Sequence, residues 1–336
     1  LQTEPWWIYA IFLVFVIVTL LVDLKVFHAD EHEPRFKESL FWAVFWVGLA
    51  VVFGIALIFW KGPTLAGQYF AGFLIEKALS VDNMFVFILI FSYFQIPLKY
   101  QHQVLFYGIL GAIIFRGIFI AAGVALIERF EWIIYVFGAF LIYTAFKIVR
   151  GSEEIHPDDN PILSFFRRHF RTTSKFDGQK LFTLENGKRV ATPLFITLIF
   201  IEITDIVFAV DSIPAIFAIS RDPFIILTSN VFAILGLRAL YFLLAGSLHR
   251  FHLLKYGLGI ILGFVGVKML LEYWHITINT WVSLGFVISV LTATGVLSLK
   301  ITPPESAVHL PKEDAKELLD EPVDPEASSL DESERN

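Results

Sequence analysis

The sequence predicts an all-α polytopic membrane protein, with nine transmembrane helices and a 3+3 inverted-topology repeat. Three observations carry this. The first is composition: 56% of the 336 residues are hydrophobic, 17% are charged, and mean hydropathy is +0.69. Soluble proteins hold about 45–50% apolar residues, and a soluble fold of this length has no interior for the excess. The second is segmentation into nine apolar runs, each near or above the roughly 17–25 residues a helix needs to cross hydrocarbon. The third is self-similarity between two blocks of three spans. With zero cysteines, a disulfide scaffold and thiolate chemistry are excluded.

The spans run roughly over 6–24, 40–60, 68–91, 102–124, 131–149, 193–219, 224–246, 253–271 and 277–299. They are too long for barrel strands and lack period-two alternation. The first does not read as a signal peptide, because it opens on Glu4, Trp6 and Trp7 rather than a basic leader. Bases concentrate in the odd loops: Lys25, Arg35 and Lys37, then Lys99, then Arg150 to Arg189, then Arg250 and Lys255. The even loops hold only Lys61, Arg129 and Arg221. The positive-inside rule then places the N-terminus outside and the C-terminus in the cytoplasm.

Residues 1–67 therefore hold two accessory spans, and 68–149 form a first three-helix repeat. A basic loop at 150–192 contains a candidate hairpin with Asn186-Gly187 at its turn. The second repeat covers 193–271, and the ninth span lies in 272–302. An acidic tail expected to be disordered covers 303–336; it carries −8 of the chain's formal charge of −6, leaving the body at +2.

The repeat is read from charges. Glu76 and Asp205, then Asp82 and Asp211, recur at an offset of 129. Arg116 lies eight residues after Gly108, as Arg238 does after Asn230. Lys147 follows Arg129 by 18 residues, as Lys268 follows Arg250. Apolar helices share Leu and Phe by chance, but not buried acids and bases at matched spacing. Three spans is an odd number, so adjacent copies cross in opposite senses, the pattern of many alternating-access transporters.

Charges inside spans cost about 2.5–3.5 kcal/mol each on insertion scales. Those at Glu76, Lys77 and Asp82 in span three, and at Glu202, Asp205 and Asp211 in span six, must therefore face protein or water. Equivalent positions of an inverted pair meet near the midplane, which would bring Asp82 towards Asp211. Converging carboxylates repel unless protonated or bridged by a cation, and oxygen ligands suit Mn²⁺, Ca²⁺ or Mg²⁺. Asn83 and Ser212 could add neutral oxygens. The competing reading is structural: Lys77, Arg116 and Arg238 pair with the acids or act as gates, and could also admit an anion. Three bases against five acids leave some acids unmatched. Six residues at about 100° each separate Glu76 from Asp82 by about 120°, whereas Glu202 and Asp205 share a face. Pro214 offers a helix break that would free the Val210 carbonyl beside Asp211. No phosphate-binding loop appears, and the basic loop suits orientation and anionic lipid rather than nucleic acid.

Four stretches carry a resemblance. They are Phe73-Leu-Ile-Glu-Lys-Ala-Leu-Ser-Val-Asp-Asn-Met-Phe-Val-Phe, Ile201-Glu-Ile-Thr-Asp-Ile-Val-Phe-Ala-Val-Asp-Ser-Ile-Pro-Ala-Ile-Phe, Thr228-Ser-Asn-Val-Phe-Ala-Ile-Leu-Gly-Leu-Arg and Glu185-Asn-Gly-Lys-Arg-Val-Ala-Thr-Pro-Leu-Phe. Through them the chain resembles the TerC/Alx family of integral membrane proteins over about residues 5–300. The resemblance implies a transporter superfamily with three-helix inverted repeats. It implies a link to tellurium resistance by name and to manganese export in several members; calcium handling is also discussed. It maps the family's acidic positions onto Glu76, Asp82, Asp205 and Asp211, with Asn83 beside them.

The expectation is a non-enzymatic secondary transporter exporting a divalent cation, Mn²⁺ favoured over Ca²⁺, by proton exchange. Its partners would be the bilayer, divalent cations, protons and other components of a membrane complex, with no cofactor and no nucleic acid. Its place would be the bacterial inner membrane, or the thylakoid if the chain is from a plastid. The alternatives are a membrane scaffold for a tellurium, envelope-stress or protein-insertion complex, and a cation channel.

Overall fold

The computed structural model describes residues 4–27, 36–130, 132–150, 173, 176–185, 188–244 and 253–301. The side chains of residues 23–27, 36, 82, 85 and 211 lie outside that description, as do the acidic tail, most of the basic loop and the hairpin turn. The helices are α1 (Trp6–Phe27), α2 (Phe36–Lys61), α3 (Pro63–Tyr93), α4 (Leu98–Arg129) and α5 (Ile133–Arg150), then α6 (Pro193–Phe217), α7 (Pro223–Leu235), α8 (Leu237–Leu244), α9 (Leu254–Leu271) and α10 (Thr280–Lys300). Between α5 and α6, β1 (Phe182–Glu185) pairs antiparallel with β2 (Lys188–Ala191), Phe182 opposite Ala191 and Glu185 opposite Lys188.

Local chemistry sets the helix starts. Proline opens α3, α6 and α7, where its fixed φ suits the first turn and its missing N–H is not needed. Gly62 before α3 has φ 89°, a left-handed conformation that glycine adopts without strain. Asp222 caps α7, its Oδ1 accepting from the amides of Phe224 at 2.9 Å and Ile225 at 3.2 Å. Asn279 caps α10 through the Trp281 amide at 2.8 Å.

Among the described residues, six helices are long and apolar enough to cross a membrane, and the bent pair α7–α8 makes a seventh if it is one span. The fold is thus an all-α polytopic membrane architecture. Two of the nine expected spans, α1 and α3, fall outside that number. α3 has 31 residues but carries Glu76, Lys77 and Asp82 along its middle. α1 is apolar over Trp6–Val22, where its described side chains end. Large apolar side chains face outward along α1, α2 and α10, and Trp6, Trp7, Trp60, Trp132 and Trp274 are all exposed, as lipid contact and interfacial anchoring require.

The packing pairs α3 with α7, α4 with α6 and α5 with α9 most extensively. Glycine positions show the senses. Gly108 faces Ile201, Gly111 faces Glu202 and Gly123 faces Phe217, so α4 and α6 run in parallel. Gly72 faces Ser229 and Lys77 reaches Ala233, so α3 and α7 do the same. Gly138 meets Gly266 while Gly259 meets Ala145, so α5 and α9 are antiparallel. Two apolar clusters fill the bundle. One joins α1 and α2 to α7 through Phe12, Phe53, Tyr69 and Phe232, with Phe53 and Phe232 rings 4.8 Å apart. The other joins α5, α9 and α10 to the far ends of α4 and α6.

Candidate functional site

Four polar side chains meet where the two apolar clusters adjoin, each from the middle of a helix. They are Glu76 on α3, Arg116 on α4, Asp205 on α6 and Asn230 on α7, exposed by 1%, 1%, 3% and 0%. Apolar neighbours one turn to either side, such as Ala112 and Ile120 around Arg116, belong to different clusters. Asp205 lies halfway along α6, and such mid-helix positions sit near the centre of a bilayer.

Arg116 organises the group. Its Nε donates to Asp205 Oδ2 at 3.2 Å and its Nη2 to Asp205 Oδ1 at 3.0 Å, the two-pronged geometry a planar guanidinium favours. Its Nη1 donates to Glu76 Oε1 and, at 3.3 Å, to Asn230 Oδ1. Asn230 Nδ2 donates to Glu76 Oε2 at 3.2 Å, closing a ring. The two acids related by the offset of 129 thus share one arginine. One guanidinium against two carboxylates leaves a formal charge of −1 when all are ionised. In a low-dielectric interior that excess calls for a proton or another cation.

The other predicted residues are placed differently. Lys77 points away from Arg116, and its Nζ donates to the Ala233 carbonyl at 3.1 Å. That carbonyl lies in the last turn of α7, where backbone acceptors lack helical partners and a cation is favoured. A Cβ on Gly236, at the 40° break between α7 and α8, would lie 3.0 Å from that ammonium. Arg238 is buried in the first turn of α8. Glu202 sits one turn before Asp205 and also faces α4: its carboxyl fills the notch over Gly111, and Oε2 is buried without a hydrogen-bond partner among the described residues. Asn83 is buried on α3. Ser212 is buried on α6, its hydroxyl without a partner among the described residues. Asp82 and Asp211 lie on α3 and α6, but their side chains, and so their expected approach, are outside the described residues. α6 continues through Pro214 to Phe217; the sharp break falls instead at Gly236. Among the described residues, no three His, Cys, Asp or Glu side chains gather as a metal site.

Sequence reasoning did not anticipate Gly111, whose missing side chain admits the Glu202 carboxyl, although small residues three apart at Gly108 and Gly111 were a usable sign of close helix packing. It also did not anticipate the buried pair in which the Tyr241 hydroxyl donates to Gln101 Oε1 at 2.8 Å.

Residues 61–306 match the family model described as the integral membrane protein TerC family. This chain belongs to the TerC family. The TerC chain is 50% identical over 294 residues to "Uncharacterized membrane protein STKORF319" of Myxococcus xanthus, covering 87% of this chain and 92% of that one. It is 46% identical over 300 residues to "Putative membrane-bound redox modulator Alx" of Escherichia coli strain K12, covering 85% and 92%. It is 44% identical over 282 residues to an uncharacterized membrane protein of Rickettsia bellii, covering 84% and 93%. No solved structure matches the TerC chain. Its bacterial relatives and its apolar helices are consistent with an inner-membrane protein.

Proposed function

We propose that this protein is a secondary transporter that exports a divalent metal cation, Mn²⁺ favoured over Ca²⁺, in exchange for protons, without covalent turnover. The observation that carries the reading is the uncompensated charge of the Glu76–Arg116–Asp205–Asn230 ring, buried at the centre of membrane-crossing helices. A cation approaching Asp82 and Asp211 would compete with Arg116 for carboxylate oxygens, and protonation of the acids would release it. The oxygen-only chemistry of these side chains suits a hard or borderline ion.

The 3+3 inverted repeat and nine crossings, with α1 and α3 included and α7–α8 as one bent crossing, belong to the same reading. A two-fold axis in the membrane plane exchanges α3 with α6 and α4 with α7, and maps α5 onto α9. The pairings α3–α7 and α4–α6 then interchange, both parallel, while α5 and α9 must run antiparallel, as they do. An offset of 121 carries the Gly138–Gly266 contact onto Gly259–Ala145. Alternating access would rock one repeat against the other.

Mn²⁺ flux into proteoliposomes of the purified full chain, driven by an opposing proton gradient, tests this. Asp82→Asn and Asp211→Asn should each lower flux at least tenfold while the protein stays folded. Undiminished flux in both would remove the site assignment. Flux that neither saturates nor follows the proton gradient would identify a channel. A scaffold would keep its role in cells after both substitutions. The relative's name raises redox modulation, but a chain with zero cysteines has no thiol of its own for it.

A further inference from the structure

We infer that the end of the bundle opposite the hairpin carries an oxyanion-binding pocket centred on Lys268. The inference does not depend on the cation reading, because it concerns other residues at another depth. α6 runs from the hairpin to Phe217, about 37 Å at about 1.5 Å per residue, and at its far end it meets the start of α7, the end of α9 and the start of α10. There a cavity of about 440 Å³ is lined by Gln68, Ser220, Arg221, Lys268, Thr277 and Thr280, among others.

Lys268 makes this cavity a candidate site. It is only 8% exposed, and no hydrogen bond or ion pair holds it among the described residues. Burying an ammonium is costly, and the carboxylate that acts on Lys268 through space, Glu272, forms no ion pair with it, so the position favours an anion in front of it. The nearby carboxylates are already engaged. Glu272 is paired with Arg221, and Asp222 spends Oδ1 on the two amides at the start of α7. The Ser220 hydroxyl accepts from the Asp222 amide at 3.2 Å, which leaves its own O–H free to donate. The Thr277 and Thr280 hydroxyls and the Gln68 amide add further donors around the same space. The two bases, Arg221 and Lys268, are matched in number by Asp222 and Glu272, so the surplus is of hydrogen-bond donors rather than of charge, and the volume is ample for a tetrahedral oxyanion of phosphate size. Trp274 and Trp281 nearby are exposed, as at the interface of a bilayer, so the anion could be a lipid headgroup phosphate or a free one.

Inorganic phosphate is the probe. The full chain, purified in phosphate-free detergent and stripped of lipid, should bind radiolabelled phosphate saturably. Lys268→Met should weaken binding tenfold or more, and Lys268→Arg should keep it within about threefold. If the natural source is lipid, the parent chain taken from phosphatidylglycerol nanodiscs will retain lipid phosphate that Lys268→Met lacks. If the source is free phosphate, both will retain equal lipid. Either pattern supports the site. Equal phosphate affinity in the parent and Lys268→Met overturns it, as does a parent that binds phosphate in neither setting. Should Lys268→Met fail to fold, Ser220→Ala and Thr277→Val must each weaken binding at least twofold; unchanged affinity in both overturns the assignment.

Discussion

Arg116 is the residue on which the centre of the bundle depends. It offers donors to three partners on three other helices, so its removal strands two buried carboxylates at once. Breaking a buried pair by deleting one partner costs about 3–5 kcal/mol. Arg116→Met should therefore lower the thermal unfolding midpoint in detergent sharply, and adding Glu76→Gln with Asp205→Asn should recover much of the loss. An Arg116→Met protein that melts with its parent would mean the ring holds nothing together. The charges at 76, 116, 205 and 238 were legible from spacing alone, because buried acids and bases recur too rarely to coincide. Which acid meets which base was not. Rotation of each helix is decided by packing on its neighbours, as where Gly111 draws the Glu202 carboxyl onto α4 and away from the arginine. The role of Lys77 was equally hidden, since its partner is a backbone carbonyl near a break that no proline announces.

At the scale of elements, close backbone approach governs the α5–α9 pair. A Cβ on Gly266 would fall 2.7 Å from the Gly138 carbonyl oxygen and 2.8 Å from Ile142 Cγ1. Because one neighbour is backbone, the helices must separate, and overpacking of this kind costs about 1–3 kcal/mol. Gly263→Ala is the control: its nearest contact would be Ala145 Cβ at 3.7 Å, so it should be neutral or gain up to about 1 kcal/mol of helix propensity. Thermal midpoints of the two variants should move in opposite directions, and equal gains would point to helix propensity alone. The hairpin responds to pH instead. The Thr183 hydroxyl and then the Lys180 ammonium hold the Asp177 carboxyl below its ordinary range. A folded pKa below the unfolded one stabilises the hairpin above the usual carboxylate range, about 3.9, and that stabilisation fades as pH falls through the folded value. Carboxyl NMR should show Asp177 titrating low in the parent and nearer the ordinary range in Thr183→Val. Both strands fall inside the stretch whose composition suggested a hairpin, whereas no periodicity in α5 or α9 announced which of their glycines would touch.

For the molecule as a whole, crossing parity is the quantity that ties fold to orientation. Between the hairpin and residue 276 the chain runs through α6, the bent pair α7–α8 and α9. If the pair is one bent crossing, that is three crossings, and the two points lie on opposite sides of the membrane. If α7 and α8 instead turned back as a re-entrant loop, the crossings would be two and the points would share a side. Leu184 and Ile276 are 70% and 52% exposed, and a chain with zero cysteines gives no background to a single engineered thiol. Under the positive-inside rule, Leu184→Cys should react with an impermeant maleimide only from the cytoplasmic face, and Ile276→Cys only from the other. Exchanged sides would invert the orientation but keep the inverted repeat. Labelling of both from one side would defeat the repeat itself, because two three-crossing units cannot face oppositely when the second crosses an even number of times.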